Sequence, residues 1–179
     1  MAQNVKIMIF IDGSNLHWGR QGYNKTNKTN LKIDYKKMLD LLTGSRYLVR
    51  AVYYCSQPVP PSDPRQIRFL DYLRSVGIQI EARPLKARTD PMTKSTIHVE
   101  KGVDVALAVD LIAMAWENAY DTAILVSGDE DYLGVVSKVM SKGRNVELAS
   151  FRNCLSSKLR KAVLKVTILD DIISLIKQQ

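Results

Sequence analysis

The residues best suited to chemistry are aspartates that directly follow two apolar runs of the sequence. Asp12 ends the run VKIMIFID (5–12), and Asp129 and Asp131 follow the run TAILVS (122–127). Carboxylates placed close together repel one another, and burying them unpaired is costly. A hard divalent cation relieves this repulsion, and carboxylate and water ligands suit Mg²⁺ or Mn²⁺. Such an ion activates water and neutralises charge on a phosphoryl oxygen, so the pattern indicates phosphate chemistry.

A third acidic segment, KGVDVALAVD (101–110), opens a long apolar helix. Asp104 falls in the first turn, at the head of a stripe that otherwise looks core-facing. Asp110 lies six positions later and therefore on another face, at about 100° per residue. An acid at the head of an apolar stripe favours a site, although an acid in a first turn also complements the helix dipole. For Asp110 both roles stay open.

The cluster SGDED (127–131) also has a purely structural interpretation. Ser127 or Asp129 would cap the following helix, and the remaining acids would complement its dipole. That interpretation covers the cluster locally but leaves Asp12, at another strand end, unexplained. The two positions together favour a site.

The elements that position these acids alternate between strands and helices. Strands are predicted at 5–12, 47–56, 78–86, 122–127 and 144–151, and helices at 33–42, 65–77, 103–119 and 131–143, followed by a helix, a small strand and a helix in the tail. The polar stretch 19–34 is predicted to be an exposed loop after a short helical turn near Asn15–Trp18. The basic segment 86–101 is turn-rich, with a short extra strand at Thr96–Val99.

This alternation predicts an α/β fold with a mainly parallel, roughly five-stranded sheet covered on both faces. Ligands of such sheets bind beyond the carboxyl ends of the strands, where the strand order reverses. With right-handed crossovers, the first and fourth strands become neighbours at that point. We therefore expect Asp12 and Asp129 to lie close together.

Composition narrows the class of protein and its partners. With 179 residues and 46% hydrophobic content, we expect one domain spanning 1–179. Lys and Arg number 26 against 18 Asp and Glu, which favours a nucleic acid partner.

No run approaches the ~20 apolar residues of a membrane span. Cys55 and Cys154 form no CxxC pair, which favours free thiols in a reducing compartment and a cytoplasmic location. The oligomeric state stays open, a homodimer being one option.

Basic residues precede the acidic helix and would line the approach to the site, or form a solvated face. They are Arg83, Lys86, Arg88, Lys94 and Lys101. Tyr and Trp residues mostly occupy core-like positions, so the sequence itself predicts little base stacking.

Four segments together resemble a known family. They are FIDGSNL (10–16), KGVDVALAVDLIAMA (101–115), AYDTAILVSGDEDY (119–132) and KGRNVELASF (142–151). The chain is similar to NYN domains of the LabA-like type, a branch of the PIN-like nuclease superfamily. This resemblance implies a three-layer α/β/α, Rossmann-like fold and an acidic pocket that binds Mg²⁺ or Mn²⁺ and cleaves RNA, with single strands preferred.

The resemblance also assigns roles by position. Asp12, Asp104, Asp129 and Asp131 form the acidic set that holds the metal, with Asp110 as an outer member. Substrate-binding roles fall to Ser14, Asn15, Ser127 and Lys101, with Asn15 orienting water or a phosphate and Lys101 meeting a phosphate.

Other classes of site fit less well. An adhesion-type metal site needs a second serine where Leu16 stands, and a Toprim-like domain needs a Glu where Asp12 stands. No GxGxxG follows the first strand, and neither histidine adjoins a nucleophile elbow. The prediction is a metal-dependent ribonuclease, in particular an endonuclease. The alternative is a non-catalytic RNA-binding or regulatory module with the same fold.

Overall fold

The computed structural model of the protein describes the backbone of residues 5–89, 96–99 and 101–178, and side chains at 5–85 and 101–178. The strands are β1 Lys6–Asp12, β2 Tyr47–Gln57, β3 Ile78–Pro84, β4 Lys86–Thr89, β5 Thr96–Val99, β6 Thr122–Val126, β7 Asn145–Ser150 and β8 Lys165–Ile168. The helices are α1 Gly13–Asn27, α2 Tyr35–Thr43, α3 Pro64–Ser75, α4 Val103–Trp116, α5 Leu133–Ser141, α6 Ser157–Lys161 and α7 Ile173–Ile176. None of the helices in these ranges is long and apolar enough to cross a membrane.

Six strands form one parallel sheet in the order β3-β2-β1-β6-β7-β8. The expected pairing of the first strand with the fourth large strand is confirmed, because Ile7–Ile11 lie in register with Thr122–Val126. The sheet has one strand more than expected, since the small strand predicted in the tail joins its edge as β8. Thr96–Val99 is a strand as predicted, and it pairs antiparallel with β4 in a separate hairpin.

The central strand β1 is buried on both faces, which explains its continuous apolar sequence. Ile7, Ile9 and Ile11 point into one hydrophobic core, while Met8 and Phe10 point into the other. This alternation is the two-residue period of a strand. Helices therefore cover both faces, and the predicted three-layer α/β/α fold is confirmed.

The prediction of a loop after Trp18 is wrong, because α1 is a 15-residue helix that continues to Asn27. Its sequence lacks the apolar pattern of a helix that packs on a core, because its buried residues are only Gly13, Leu16 and Gly19. A Cβ at Gly19 would lie 2.8 Å from the ring of Phe151, so the helix packs closely through its glycines. Tertiary packing thus stabilises a helix whose sequence lacks an apolar stripe.

Candidate acidic active site

Three aspartates from distant segments line one cavity of about 370 Å³ at the carboxyl end of the sheet. Asp12 ends β1, Asp129 follows β6, and Asp104 lies in the first turn of α4. The remaining lining residues are Ser14, Asn15, Trp18, Lys101, Gly102, Val103 and Tyr132. The adjacent positions of β1 and β6 at the centre of the sheet bring the first two acids together, as the strand order requires.

Asp12 is the most deeply placed of these acids, with 7% of its surface exposed. One carboxylate oxygen accepts the backbone N–H of Asn15 at 3.0 Å and caps α1. The other accepts the hydroxyls of Ser127 and Tyr132, each at 3.2 Å. Burial raises the pKa of Asp12 above its usual value, and these hydrogen bonds only partly oppose that rise.

Hydrogen bonds also fix the turn after β6 against the start of α1. Asn15 Oδ1 accepts the backbone N–H of Gly128 at 3.0 Å, and Ser127 Oγ accepts that of Asp129 at 3.2 Å. A Cβ at Gly128 would lie 2.3 Å from the carbonyl oxygen of Cys154, so a larger residue would displace the turn. Asp129 is thus presented by a rigid backbone, although its own side chain is exposed.

Two other predicted acids lie outside this cavity. Asp131 faces a smaller neighbouring hollow, whose wall it shares with Asp104 and Tyr132. Asp110 lies further along α4, where it accepts the hydroxyl of Tyr54 at 2.8 Å. The cavity therefore brings together Asp12, Asp104 and Asp129, with Asp131 next to it and Asp110 apart.

Of the predicted basic residues with described side chains, Lys101 lines the cavity and Arg83 does not. Arg83 lies on the edge strand β3 and pairs with Glu81 at 3.2 Å. The side chains of Lys86 and Arg88, and the whole of Lys94, lie outside the described part of the structure.

Sequence reasoning missed two aromatic residues of the site. Tyr132 is buried as its apolar context suggests, but its hydroxyl donates to Asp12. Trp18 is 62% exposed at the cavity, and is thus an exception to the core-like positions expected for most Tyr and Trp residues. The signal that could have revealed this is the spacing of three residues between Asn15 and Trp18, which places both on one face of the predicted helical turn.

The donor atoms suit a hydrated hard cation. In the described ranges, no three Asp, Glu, His or Cys side chains converge closely enough to hold an ion by themselves. Mg²⁺, however, usually keeps several waters and takes only one or two carboxylates from a protein. Asp12, Asp104 and Asp129 supply only carboxylate oxygens to the cavity, which fits Mg²⁺ or Mn²⁺ held partly through water.

Comparisons with known proteins show the family of the chain. The curated relative "Low amplitude and bright protein LabA" of Synechococcus elongatus is 25% identical over 175 residues, covering 97% of this chain and 88% of the relative. A crystal structure of a protein of unknown function from Vibrio parahaemolyticus is 24% identical, with a TM-score of 0.77 and 99% of each chain covered, and shows the same fold. The profile of the NYN domain, a branch of the PIN-like nuclease superfamily, matches residues 6–170. The chain therefore belongs to the NYN domain family.

Proposed function

We propose that the protein is a metal-dependent ribonuclease that hydrolyses phosphodiester bonds within RNA at the acidic cavity. The observation that supports this most strongly is the meeting of Asp12, Asp104 and Asp129 in one open cavity. None of the three forms an ion pair with a Lys or Arg of the described residues. Negative charge beside an open cavity, with no cationic partner among the described residues, is suited to an external cation.

In this proposal Asp12, Asp104 and Asp129 hold Mg²⁺ or Mn²⁺, with Asp131 acting directly or through water. When bound, the ion activates water and neutralises charge on the phosphoryl oxygens. The role of Ser127 and Tyr132 is to orient Asp12 through their hydroxyls. Burial, followed by the nearby negative charge of Asp12, raises the pKa of Tyr132, so its hydroxyl keeps its proton and remains a donor.

Basic and polar groups around the cavity support RNA as the substrate. Lys101 and Ser14 line the cavity beside the acids and are placed to contact phosphate oxygens. Asn15, whose amide oxygen is already engaged by Gly128, would orient water or phosphate through its amide nitrogen. The net charge of +8 further favours a polyanion.

A second candidate is a non-catalytic RNA-binding or regulatory module with the same fold. It is favoured by the lack, among described residues, of three acidic side chains that already converge on one ion position. Both candidates predict RNA binding, and only the ribonuclease predicts cleavage that depends on the metal.

A labelled circular single-stranded RNA, incubated with the protein and Mn²⁺, separates the two candidates, because only the ribonuclease cleaves it. A circle has no ends, so its cleavage also excludes an exonuclease. We expect Asp12→Asn and Asp129→Asn each to lower the cleavage rate by about 100-fold or more, because each removes a carboxylate from the metal site. EDTA should abolish cleavage by the unaltered protein.

The matched controls are two acids close in sequence to the site but outside the cavity. Glu130 follows Asp129 directly and pairs with Lys158 at 2.7 Å, and Asp110 accepts from Tyr54. Glu130→Gln and Asp110→Asn should cleave within about 2-fold of the unaltered protein. Equal cleavage by all variants would mean a contaminating nuclease, and RNA binding without any cleavage would establish the regulatory module instead.

A further inference from the structure

Trp18 is an exposed aromatic residue at the wall of the acidic cavity. The side chain is 62% exposed, and it lines the same cavity as Asp12, Asp104 and Asp129. Single exposed apolar residues are common on protein surfaces, so exposure alone means little. The position matters here, because a large ring stands beside charged groups where a substrate would enter.

The helix α1 determines this position. Trp18 follows Ser14 by four residues and Asn15 by three, so the three side chains share one helical face. The indole therefore lies one turn, about 5.4 Å along the axis, from the polar residues beside Asp12. When one phosphate of a strand lies at the acids and Lys101, the base of an adjacent nucleotide can reach the indole ring.

The surroundings of the indole leave room for a ligand. The imidazole of His17 lies nearly perpendicular to the indole and does not stack on it, at 5.5 Å between ring centroids and an interplanar angle of 85°. The second tryptophan, Trp116, is different: the ammonium groups of Lys138 and Lys142 lie over its ring at 5.6 and 5.5 Å. Trp116 also lies at the far end of α4 from Asp104, away from the cavity.

We propose that Trp18 forms a nucleobase-binding subsite at the mouth of the acidic cavity, where a base of a single-stranded nucleic acid stacks on the indole. This proposal rests on the proposed function and adds a residue that would make the site prefer single-stranded nucleic acid. Every base has a π-face, so stacking on an aromatic ring tolerates any sequence. A base in a duplex is already stacked and paired and would have to be extruded first. The subsite therefore favours single strands over duplexes.

Binding in EDTA, which prevents metal-dependent cleavage, tests the subsite. The probes are an oligouridylate and an abasic strand of equal length, which has the phosphates but no bases. Trp18→Ala should weaken oligouridylate binding roughly 5- to 150-fold, and Trp18→Phe should restore most of it. Neither variant should change binding of the abasic strand. Because Trp18 is mostly exposed, both variants are expected to fold, which circular dichroism checks.

The fluorescence of the indole gives a direct second readout. The chain contains two tryptophans, so Trp116→Phe leaves Trp18 as the single tryptophan, whose emission is excited selectively over that of the tyrosines. Oligouridylate should quench this emission and the abasic strand should not. In the reciprocal variant Trp18→Phe, the emission of Trp116 should stay unchanged.

The outcomes separate this proposal from the proposed function. If Trp18→Ala binds oligouridylate as tightly as the unaltered protein and cleaves it as fast, the subsite is wrong and the ribonuclease stands. If Trp18→Ala weakens both probes equally, the ring acts on the backbone and the base-stacking subsite is wrong. If the unaltered protein binds neither probe and cleaves no RNA, both proposals fail.

Discussion

The two ends of strand β6 carry aspartates in opposite situations. Asp121, before the strand, pairs with Arg144 at 2.9 Å and accepts the backbone N–H of Lys6 at 2.9 Å. Asp129, after the strand, pairs with no Lys or Arg among the described residues. Arg144 therefore neutralises the acid at the amino end of β6, whereas Asp129 at the carboxyl end is left open to the cavity.

Acids elsewhere in the sheet follow the same division. Glu147 on β7 is held by Arg46 at 2.7 Å and Lys165 at 3.0 Å. Asp12, which is more deeply buried than Glu147, receives hydroxyls and an amide N–H in place of a cation. A buried carboxylate without a cation costs folding free energy, which proteins accept mainly at functional sites. The presence or absence of a cationic partner therefore distinguishes acids that stabilise the fold from acids that are available to bind a ligand.

The largest expected effect on stability comes from breaking an ion pair that holds a buried acid of the sheet. The Arg46–Glu147 pair is mostly buried, with side-chain exposures of 19% and 17%. Arg46 also donates to the carbonyls of Leu42 and Thr43. Arg46→Ala should lower the free energy of unfolding by about 2–3 kcal/mol, because a buried carboxylate loses its main partner.

Urea unfolding measures this change, with Lys36→Ala as the control. The Lys36–Asp40 pair has 60% and 62% exposure, so its loss should cost less than about 0.5 kcal/mol. Cleavage per folded molecule should be unchanged in both variants. A large loss of cleavage in folded Arg46→Ala would contradict a purely structural role for this pair.

A smaller effect of opposite sign is expected at Asp12. Burial raises the pKa of Asp12, so the folded protein favours its protonated form. That stability is fully present below the unfolded pKa and is lost as the pH rises through the folded pKa. Without metal, Asp12→Asn should therefore raise the free energy of unfolding at neutral pH, by about 1 kcal/mol. Asn is also a good helix N-cap, so α1 should keep its cap.

Thermal unfolding in EDTA at several pH values checks this prediction. The advantage of Asp12→Asn should shrink towards acidic pH, where Asp12 itself is protonated. Asp121→Asn is the matched control at the other end of the sheet, and it should destabilise the protein because Arg144 loses its partner. A destabilised Asp12→Asn at neutral pH would remove the distinction between the two ends.

The sequence was most informative where a pattern follows directly from strand geometry. The apolar run of β1 and the alternation of elements predicted the parallel sheet, and the strand ends predicted that Asp12 and Asp129 would meet. The part of α1 after Trp18 escaped prediction because glycines make much of the close packing of this helix, and glycines leave no hydrophobic signal. Trp18 lay within the helical turn predicted near Asn15–Trp18, but the sequence of that turn does not show that its Trp18 face lies beside the acids.

The positions of the remaining acids depend on tertiary detail. Asp104 and Asp110 differ by six residues on one helix, and only the packing of α4 decides which of them reaches the cavity. The hydroxyl of Tyr132 is likewise directed at Asp12 by the short helical turn Glu130–Tyr132 after β6, which periodicity does not reveal.

Calorimetric titration of the purified protein with Mn²⁺ tests most directly whether the open acids form a cation site. The unaltered protein should bind Mn²⁺, and saturation at about 100 times the dissociation constant should add about 2.7 kcal/mol to its stability. Asp129→Asn should lose most of this binding, while Asp121→Asn, altered at the opposite end of the same strand, should retain it. Undetectable binding by the unaltered protein, or equal binding by all three proteins, would contradict a cation site at the carboxyl end of the sheet.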